Sequence, residues 1–191
     1  QATGVNEKYL DNVSLEGLKV SMDIAQSVVD AEIIVLALPS HVVLSVIDDL
    51  LPHLRDEHIL LDLAKGLAPG DQMISEVISE RLETAKLNCR LCVMMGPTIA
   101  HELARGVYTT ALVTSDDVIL AGELATILST KTLKLSAGTD SLGSEYWGAF
   151  KNVIALACGV VDGLKDDGRG GDNLKAALFT SGYREAVRVL P

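Results

Sequence analysis

Short apolar runs alternate along this chain with stretches whose apolar residues recur at helical spacing. Leu18 to Met22 predicts a short strand. Asp23 to Asp30 predicts a helix with Asp23 as its N-cap. Glu32 to Leu38 (EIIVLAL) is nearly all apolar, the pattern of a parallel strand covered on both faces. Pro39-Ser40 stops it, and Ser40 is the expected cap of a helix to about Leu51, with Val43, Val46, Ile47 and Leu50 on one face. Ile59 to Ala64 predicts the next strand, followed at once by Lys65-Gly66. Asp71 is expected to start a helix to about Thr84. Arg90 to Met95 is a strand ending in Gly96-Pro97-Thr98, followed by a helix to about Arg105. Thr109 to Thr114 predicts a strand, Asp117 to Leu128 a helix, and Thr132 to Ser136 a last strand.

This alternation argues a parallel, doubly wound α/β sheet. Beyond about Thr139 the strand signals cease. Ser141 to Leu164 and Asn173 to Val189 both carry helical patterns, joined by Lys165-Asp-Asp-Gly-Arg-Gly-Gly171. The expected division is residues 1–138 as one domain and 139–191 as the start of a helical one. Within the first long helix, Val153 to Val161 has no charge at all, and a segment apolar all round predicts a buried helix.

Composition narrows the function classes. The chain has 191 residues, 48% of them hydrophobic and 22% charged, enough for a sizeable core. The net charge of -10 comes without a basic stripe, which argues against a nucleic-acid surface. No apolar run approaches the roughly 18 residues that span a bilayer. The opening QATGVNEKYLDN has no apolar targeting segment, so a cytoplasmic location is the default expectation. Three cysteines give no disulfide framework. Cys89 and Cys92 have CxxC spacing, but residues three apart on a strand face opposite sides. The four histidines match no metal spacing, so no metal site is expected. Gly168-Arg-Gly-Gly171 follows no strand and reads as a connection rather than a phosphate loop.

In doubly wound sheets, ligands sit beyond the carboxyl ends of the strands. Three strands reach that edge in distinctive turns: Leu38-Pro39-Ser40, Ala64-Lys65-Gly66 and Met95-Gly96-Pro97-Thr98. Lys65 is either an exposed turn residue or a cation aimed into the crevice. Thr98 is either an N-cap or a ligand contact. Lys151, beside Asn152 at the start of the charge-free run, is either solvated or held for proton transfer, for which a desolvated lysine is suited. Asp172-Asn173 is the expected cap of the last helix.

Taken in order, these motifs resemble the NAD(P)-dependent glycerol-3-phosphate dehydrogenase family. Asn6-Glu-Lys-Tyr-Leu10 is similar to the family's Asn-x-x-Tyr-Leu segment, and Asp30 to Ser40 (DAEIIVLALPS) to its strand "DADIIVxAVPS". Ala64-Lys65-Gly66-Leu67 resembles "SKGL", and Gly96 to Ala100 (GPTIA) resembles "GPTFA". Lys151 to Leu164, with Gly171-Asp172-Asn173, resembles "LKNVIAIAxGxxDGLGxGDN". The resemblance implies a Rossmann-type domain followed by a helical one. It implies NAD or NADP as cofactor and interconversion of dihydroxyacetone phosphate with sn-glycerol 3-phosphate, a supply of glycerol phosphate for phospholipids. Lys151 would be the proton donor and acceptor, and Lys65 would lie between cofactor and substrate. Gly96, Thr98 and Asn152 would contact substrate, while Tyr9, Pro39 and Ala100 would lie along the cofactor. A homodimer is a further implied partner.

The family's first strand–glycine turn–helix, with its G-x-G-x-x-G/A fingerprint, does not occur in this sequence, nor does its later Asp and Arg-Asn motif. The loop Lys165 to Gly170 is longer than the family's. The expectation is therefore an interior fragment lacking both ends, with weak cofactor binding, no turnover of its own and a tendency to self-associate. Alternatives are another reductase with a Rossmann and a helical domain, of the hydroxyacid, ketopantoate or pyrroline-carboxylate type, or a binding remnant. The intact trio Lys65, Thr98 and Lys151 weighs against the remnant.

Overall fold

The computed structural model describes residues 5–6 and 8–189. Residues 1–4, Glu7 of the Asn-x-x-Tyr-Leu segment and residues 190–191 lie outside the described residues. A two-stranded antiparallel hairpin, β1 (Val5–Asn6) and β2 (Leu10–Ser14), stands apart from the main sheet. The main sheet has five strands in sequential order: β3 (Ile33–Leu36), β4 (Ile59–Asp62), β5 (Arg90–Met95), β6 (Thr109–Thr114) and β7 (Leu133–Gly138). The helices between them are α1 (Ile24–Val28), α2 (Ser40–Leu50), α3 (Ile74–Thr84), α4 (Ala100–Ala104) and α5 (Val118–Leu128). Two long helices, α6 (Ser141–Gly163) and α7 (Asp172–Val189), complete the chain.

Side-chain alternation explains why the sheet is covered on both faces. Leu60 of β4 joins Ile34 and Leu36 of β3 against Val43, Ile47 and Leu50 of α2 and Ile74, Ile78 and Leu82 of α3. The next residue along, Leu61, points the other way, with Cys92 and Val113, against Leu120, Ala121 and Leu124 of α5. Cys89 packs at the first core and Cys92 lies within the second, so the CxxC pair is split across the sheet as its spacing requires. The α/β, Rossmann-type reading holds.

Several local expectations need correction. The sheet is mixed rather than wholly parallel: β3, β4 and β5 run parallel, β5 and β6 antiparallel, and β6 and β7 parallel. A parallel return needs a crossover of a dozen or more residues, usually a full helix. Between β5 and β6 the only helix is the five-residue α4, so the chain turns back at the same edge. Leu18 to Met22 joins no ladder, and Leu18, Val20 and Met22 are 67%, 74% and 101% exposed. Asp71 does not start α3. It adopts φ 63°, after Gly70 at φ 84°, in a turn closed by Ala68 N–H donating to Gln72 O at 2.9 Å, so the helix begins at Ile74. Ser40 is the first helical residue of α2 and Pro39 its cap. The capping expected of Asp23 is present, since it accepts from Gln26 N–H; Asp117 also caps its helix, accepting from Ile119 and Leu120 N–H.

The long helix α6 is not buried all round. Its first half is inserted into the protein, with Gly143, Ser144, Glu145 and Gly148 buried. In its second half only Ile154 and Val161 are buried, while Val153, Leu156 and Val160 are exposed. There α7 covers one side, at Gly182, where an added Cβ would lie 2.9 Å from Ile154 Cγ1. Among the described residues, no helix is long and apolar enough to cross a membrane.

Leu60 belongs to the first core and is fully buried. Leu60→Ala should cost about 2–5 kcal/mol, read as a lower urea midpoint with an unchanged slope.

Candidate functional site

The turns at the carboxyl ends of β4 and β5 are built from backbone that tolerates little else. Gly66 has φ 138°, and a Cβ there would lie 3.2 Å from Ser40 Oγ, so the Lys65–Gly66 turn seats against the start of α2. Gly96 is more constrained. A Cβ would stand 2.7 Å from Ala111 Cβ and 2.9 Å from Thr110 O, so only glycine lets the end of β5 pass this close to β6.

Two lysines converge on that passage from different elements. Lys65, after β4, donates from Nζ to Thr98 Oγ1 at 3.1 Å. Lys151, on α6, donates from Nζ to Gly96 O at 2.7 Å. The same Gly96 carbonyl accepts Thr98 N–H at 3.0 Å, which ties the whole Gly96–Pro97–Thr98 turn to both cations. Thr98 is therefore not the cap of α4, whose N-cap is Ile99. Burial lowers the pKa of Lys65. Burial lowers that of Lys151 as well, and the neighbouring Lys65 charge adds to the effect. Both are half-buried, and among the described residues neither forms an ion pair with a carboxylate. Two partly dry, unneutralised cations of this kind favour an anion or an oxygen that gains negative charge.

Lys151 lines a mostly apolar cavity of about 330 Å³ with Gly96, Pro97, Leu112, Trp147 and Gly148. A cavity of about 380 Å³ between α3, β5 and the start of α6 holds neither lysine. The smaller one is the candidate site because Lys151 lines it; Asp140 lines it too, with its carboxylate taken by Gly143 N–H. Trp147 is braced by stacking on Tyr183 of α7 at 5.2 Å between centroids.

The other expected residues are placed less centrally. Pro39 is exposed at the amino end of α2, where its carbonyl accepts Val42 N–H at 3.0 Å. Ala100 is exposed at the start of α4, and α4 packs against β2 of the hairpin that carries Tyr9. Tyr9 is 60% exposed, with the Lys8 ammonium 4.8 Å over its ring. Pro39, Ala100 and Tyr9 thus border the sheet edge but join no bond at the lysine cluster. Asn152 is exposed on α6 beside Lys151. Asp172 does not cap α7; it is the helix's first residue, and its carboxylate takes Lys165 Nζ at 2.8 Å. No group of three His, Cys, Asp or Glu suited to a metal occurs among the described residues.

Sequence reasoning missed two buried carboxyls below the lysines. Asp62, fully buried at the end of β4, accepts Ala64 N–H at 3.0 Å through one oxygen. Glu145, 2% exposed on α6, accepts Ser75 N–H at 3.2 Å and the Ser75 hydroxyl. Each is the lone charge in an otherwise uncharged stretch, Ile59 to Ala64 and Ser141 to Phe150, and that was the available signal.

Residues 1–121 match the family model described as the NAD-dependent glycerol-3-phosphate dehydrogenase N-terminus, and residues 140–190 match that for the C-terminus. The chain belongs to the NAD-dependent glycerol-3-phosphate dehydrogenase family. A Clostridium botulinum protein named glycerol-3-phosphate dehydrogenase [NAD(P)+] is 36% identical over 186 residues, 96% of this chain and 54% of that protein. The Fusobacterium nucleatum enzyme of the same name is 36% identical over 94% of this chain and 52% of its own length. A crystal structure of the Coxiella burnetii glycerol-3-phosphate dehydrogenase superposes with a TM-score of 0.86 at 31% identity, covering 99% of this chain and 56% of that one. A pyrroline-5-carboxylate reductase, also from Coxiella burnetii, shares the fold alone, at 14% identity and a TM-score of 0.52 over 87% of this chain and 58% of that one. The chain spans about half the length of the curated family members it matches.

The Asp62 carboxyl gives a pH signature. Burial raises its pKa from 3.8 to about 7; the Ala64 and Leu63 amides oppose the shift and the Glu145 charge adds to it. Between those values the native state holds a proton that the unfolded chain has released. Stability therefore falls as pH rises through that window and levels off above it. The urea midpoint of the wild-type chain should decline across that window, and Asp62→Asn should flatten the decline.

Proposed function

We propose that this chain carries the catalytic cleft of an NAD(P)-dependent glycerol-3-phosphate dehydrogenase, interconverting dihydroxyacetone phosphate and sn-glycerol 3-phosphate. The observation that carries this reading is the convergence of Lys65 and Lys151 on the Gly96–Thr98 turn. Residues 1–138 then form the dinucleotide side and residues 139–191 the start of the substrate side. The cleft fits the groups involved. Two half-buried cations without carboxylate partners among the described residues suit a phosphate ester, and the apolar wall by Trp147 and Leu112 suits a planar ring or a carbon skeleton. The nicotinamide, when bound, supplies or accepts the hydride at the substrate C2.

The chain's own residues handle the oxygen. Lys151 Nζ donates a hydrogen bond to the C2 carbonyl, stabilises the negative charge that grows there, and gives its proton to the nascent alkoxide. In the reverse direction the neutral amine removes that proton. The lowered pKa of Lys151 serves both directions by easing proton release. Lys65, held by Thr98, adds positive charge and orients the substrate beside the Gly96 turn. Asn152, exposed next to Lys151, is available to the substrate, while Tyr9, Pro39 and Ala100 border the cofactor's path. A cytoplasmic setting, a homodimeric assembly and a role in phospholipid supply complete the proposal.

The test is oxidation of NADH and of NADPH by dihydroxyacetone phosphate, catalysed by the full-length protein. Lys151→Ala should lower kcat by roughly 10²–10⁴-fold with the fold intact. A folded full-length protein inactive with both cofactors, or a fully active Lys151→Ala variant, would overturn the reading.

A further inference from the structure

Helix α3 is capped only in part by its own residues. Its N-cap, Met73, makes no side-chain cap bond, and the only local help is Glu76, whose carboxylate accepts Met73 N–H at 2.8 Å. The amide of Ser75, in the first turn, is one of the donors that a helix leaves without an internal partner. It is taken by Glu145, a residue 70 positions away on α6. The second Glu145 oxygen accepts the Ser75 hydroxyl. A carboxylate at a helix amino end is favoured by both hydrogen bonding and the helix dipole. Glu145 is 2% exposed, and carboxylates are rarely buried without such partners.

The contact joins the two halves of the cleft. Along α6, Ser144 Oγ lies 3.2 Å from Thr114 Oγ1 of β6. Gly148 lies flat on β5, where an added Cβ would come within 2.9 Å of Met95 Sδ. One turn further on, Lys151 reaches Gly96 O. Ser144 and Gly148 let α6 approach the sheet. Among the described residues, only Glu145 makes hydrogen bonds that fix the helix to α3.

We propose that Glu145 is a positioning residue that caps α3 from α6 and thereby sets Lys151 against the Gly96 carbonyl. It touches neither substrate nor cofactor; its action passes through α6. Burial raises its pKa most, the Ser75 hydroxyl and amide lower it, the Glu76 charge raises it, and the Ile74 amide lowers it. Asp62 is the other carboxyl coupled to it. The catalytic consequence rests on the reading of Lys151 as proton donor, whereas the placement of Lys151 does not.

The test separates the two. Lysines of the 191-residue chain are labelled by reductive ¹³C-methylation, and Lys151 is assigned with Lys151→Arg. In the wild type Lys151 should titrate below the exposed lysines. Glu145→Ala should move it toward them, and Glu145→Gln, which keeps an oxygen for the Ser75 amide, should restore most of the shift. If Glu145→Ala does not fold, Ser75→Ala carries the test, with a smaller shift in the same direction. An unchanged Lys151 titration in the folded variant overturns the proposal, whatever the activity of the protein. In the full-length enzyme Glu145→Ala should lower kcat at least tenfold with a smaller change in KM, and Glu145→Gln should recover it. A titration shift without loss of kcat would overturn the role of Lys151 and leave the capping contact standing.

Discussion

The close approach of α6 to the end of β5 is the constraint on which the cleft depends. Glycine stands on both sides of it. Gly148 leaves room for Met95 on the helix side, and Gly96 leaves room for Ala111 and Thr110 on the strand side. A side chain at Gly96 would push β6 away from β5, and one at Gly148 would displace the Met95 side chain. Packed interiors do not deform smoothly. The chemistry of two flexible lysines is thus made definite by backbone contacts that contain no charge.

Local electrostatics at this edge run against the protein as a whole. A chain of net charge -10 repels anions at long range, yet its cleft presents two lysines and no carboxylate bonded to them among the described residues. At physiological salt, exposed charges farther apart than about 8 Å are largely screened, so the near field decides what binds. The acidic groups around the site are engaged by amides rather than by the lysines, and Asp140, which lines the cavity, accepts Gly143 N–H at 2.8 Å. Asp62 faces the Ala64 amide, and Glu145 faces the amino end of α3. Both are buried, and burial pushes both toward the neutral form. That orientation keeps the lysines from being neutralised by their own protein.

The strands were legible because a strand covered on both faces is written as a continuous apolar run, and Ile59 to Ala64 or Arg90 to Met95 can be little else. The lysines were legible because each follows or opens such a run. Strand direction was not, since nothing in Thr109 to Thr114 states which way it runs; the shortness of α4 decides that, and helix length is poorly marked in sequence. Leu18 to Met22 has strand-like residues, but strand formation needs a ladder partner, and residue type alone cannot supply one. The start of α3 was misplaced for a related reason. Asp71 is a good cap by type, but two successive residues at positive φ hold it in a turn, and the cap is shared between Glu76 of the helix itself and Glu145 of another helix.

Glu145 and Asp62 show what this kind of reading misses most easily. A lone acid in an apolar run invites dismissal as a solvated residue, because burying a charge is costly. Here the cost is lowered by amide donors and, for Asp62, by retaining the proton. For Glu145 the donors belong to a helix far away in sequence, so only the fold identifies them. The cost that remains falls on stability, while the benefit falls on geometry. A cap formed between two helices ties α6 to α3 at one bonded position, and Lys151 lies less than two turns from it. Apolar packing alone would hold the same helices together but would allow small slides along the contact. Directional bonds to the Ser75 amide and hydroxyl do not, and the proton transfer proposed for Lys151 needs that restriction.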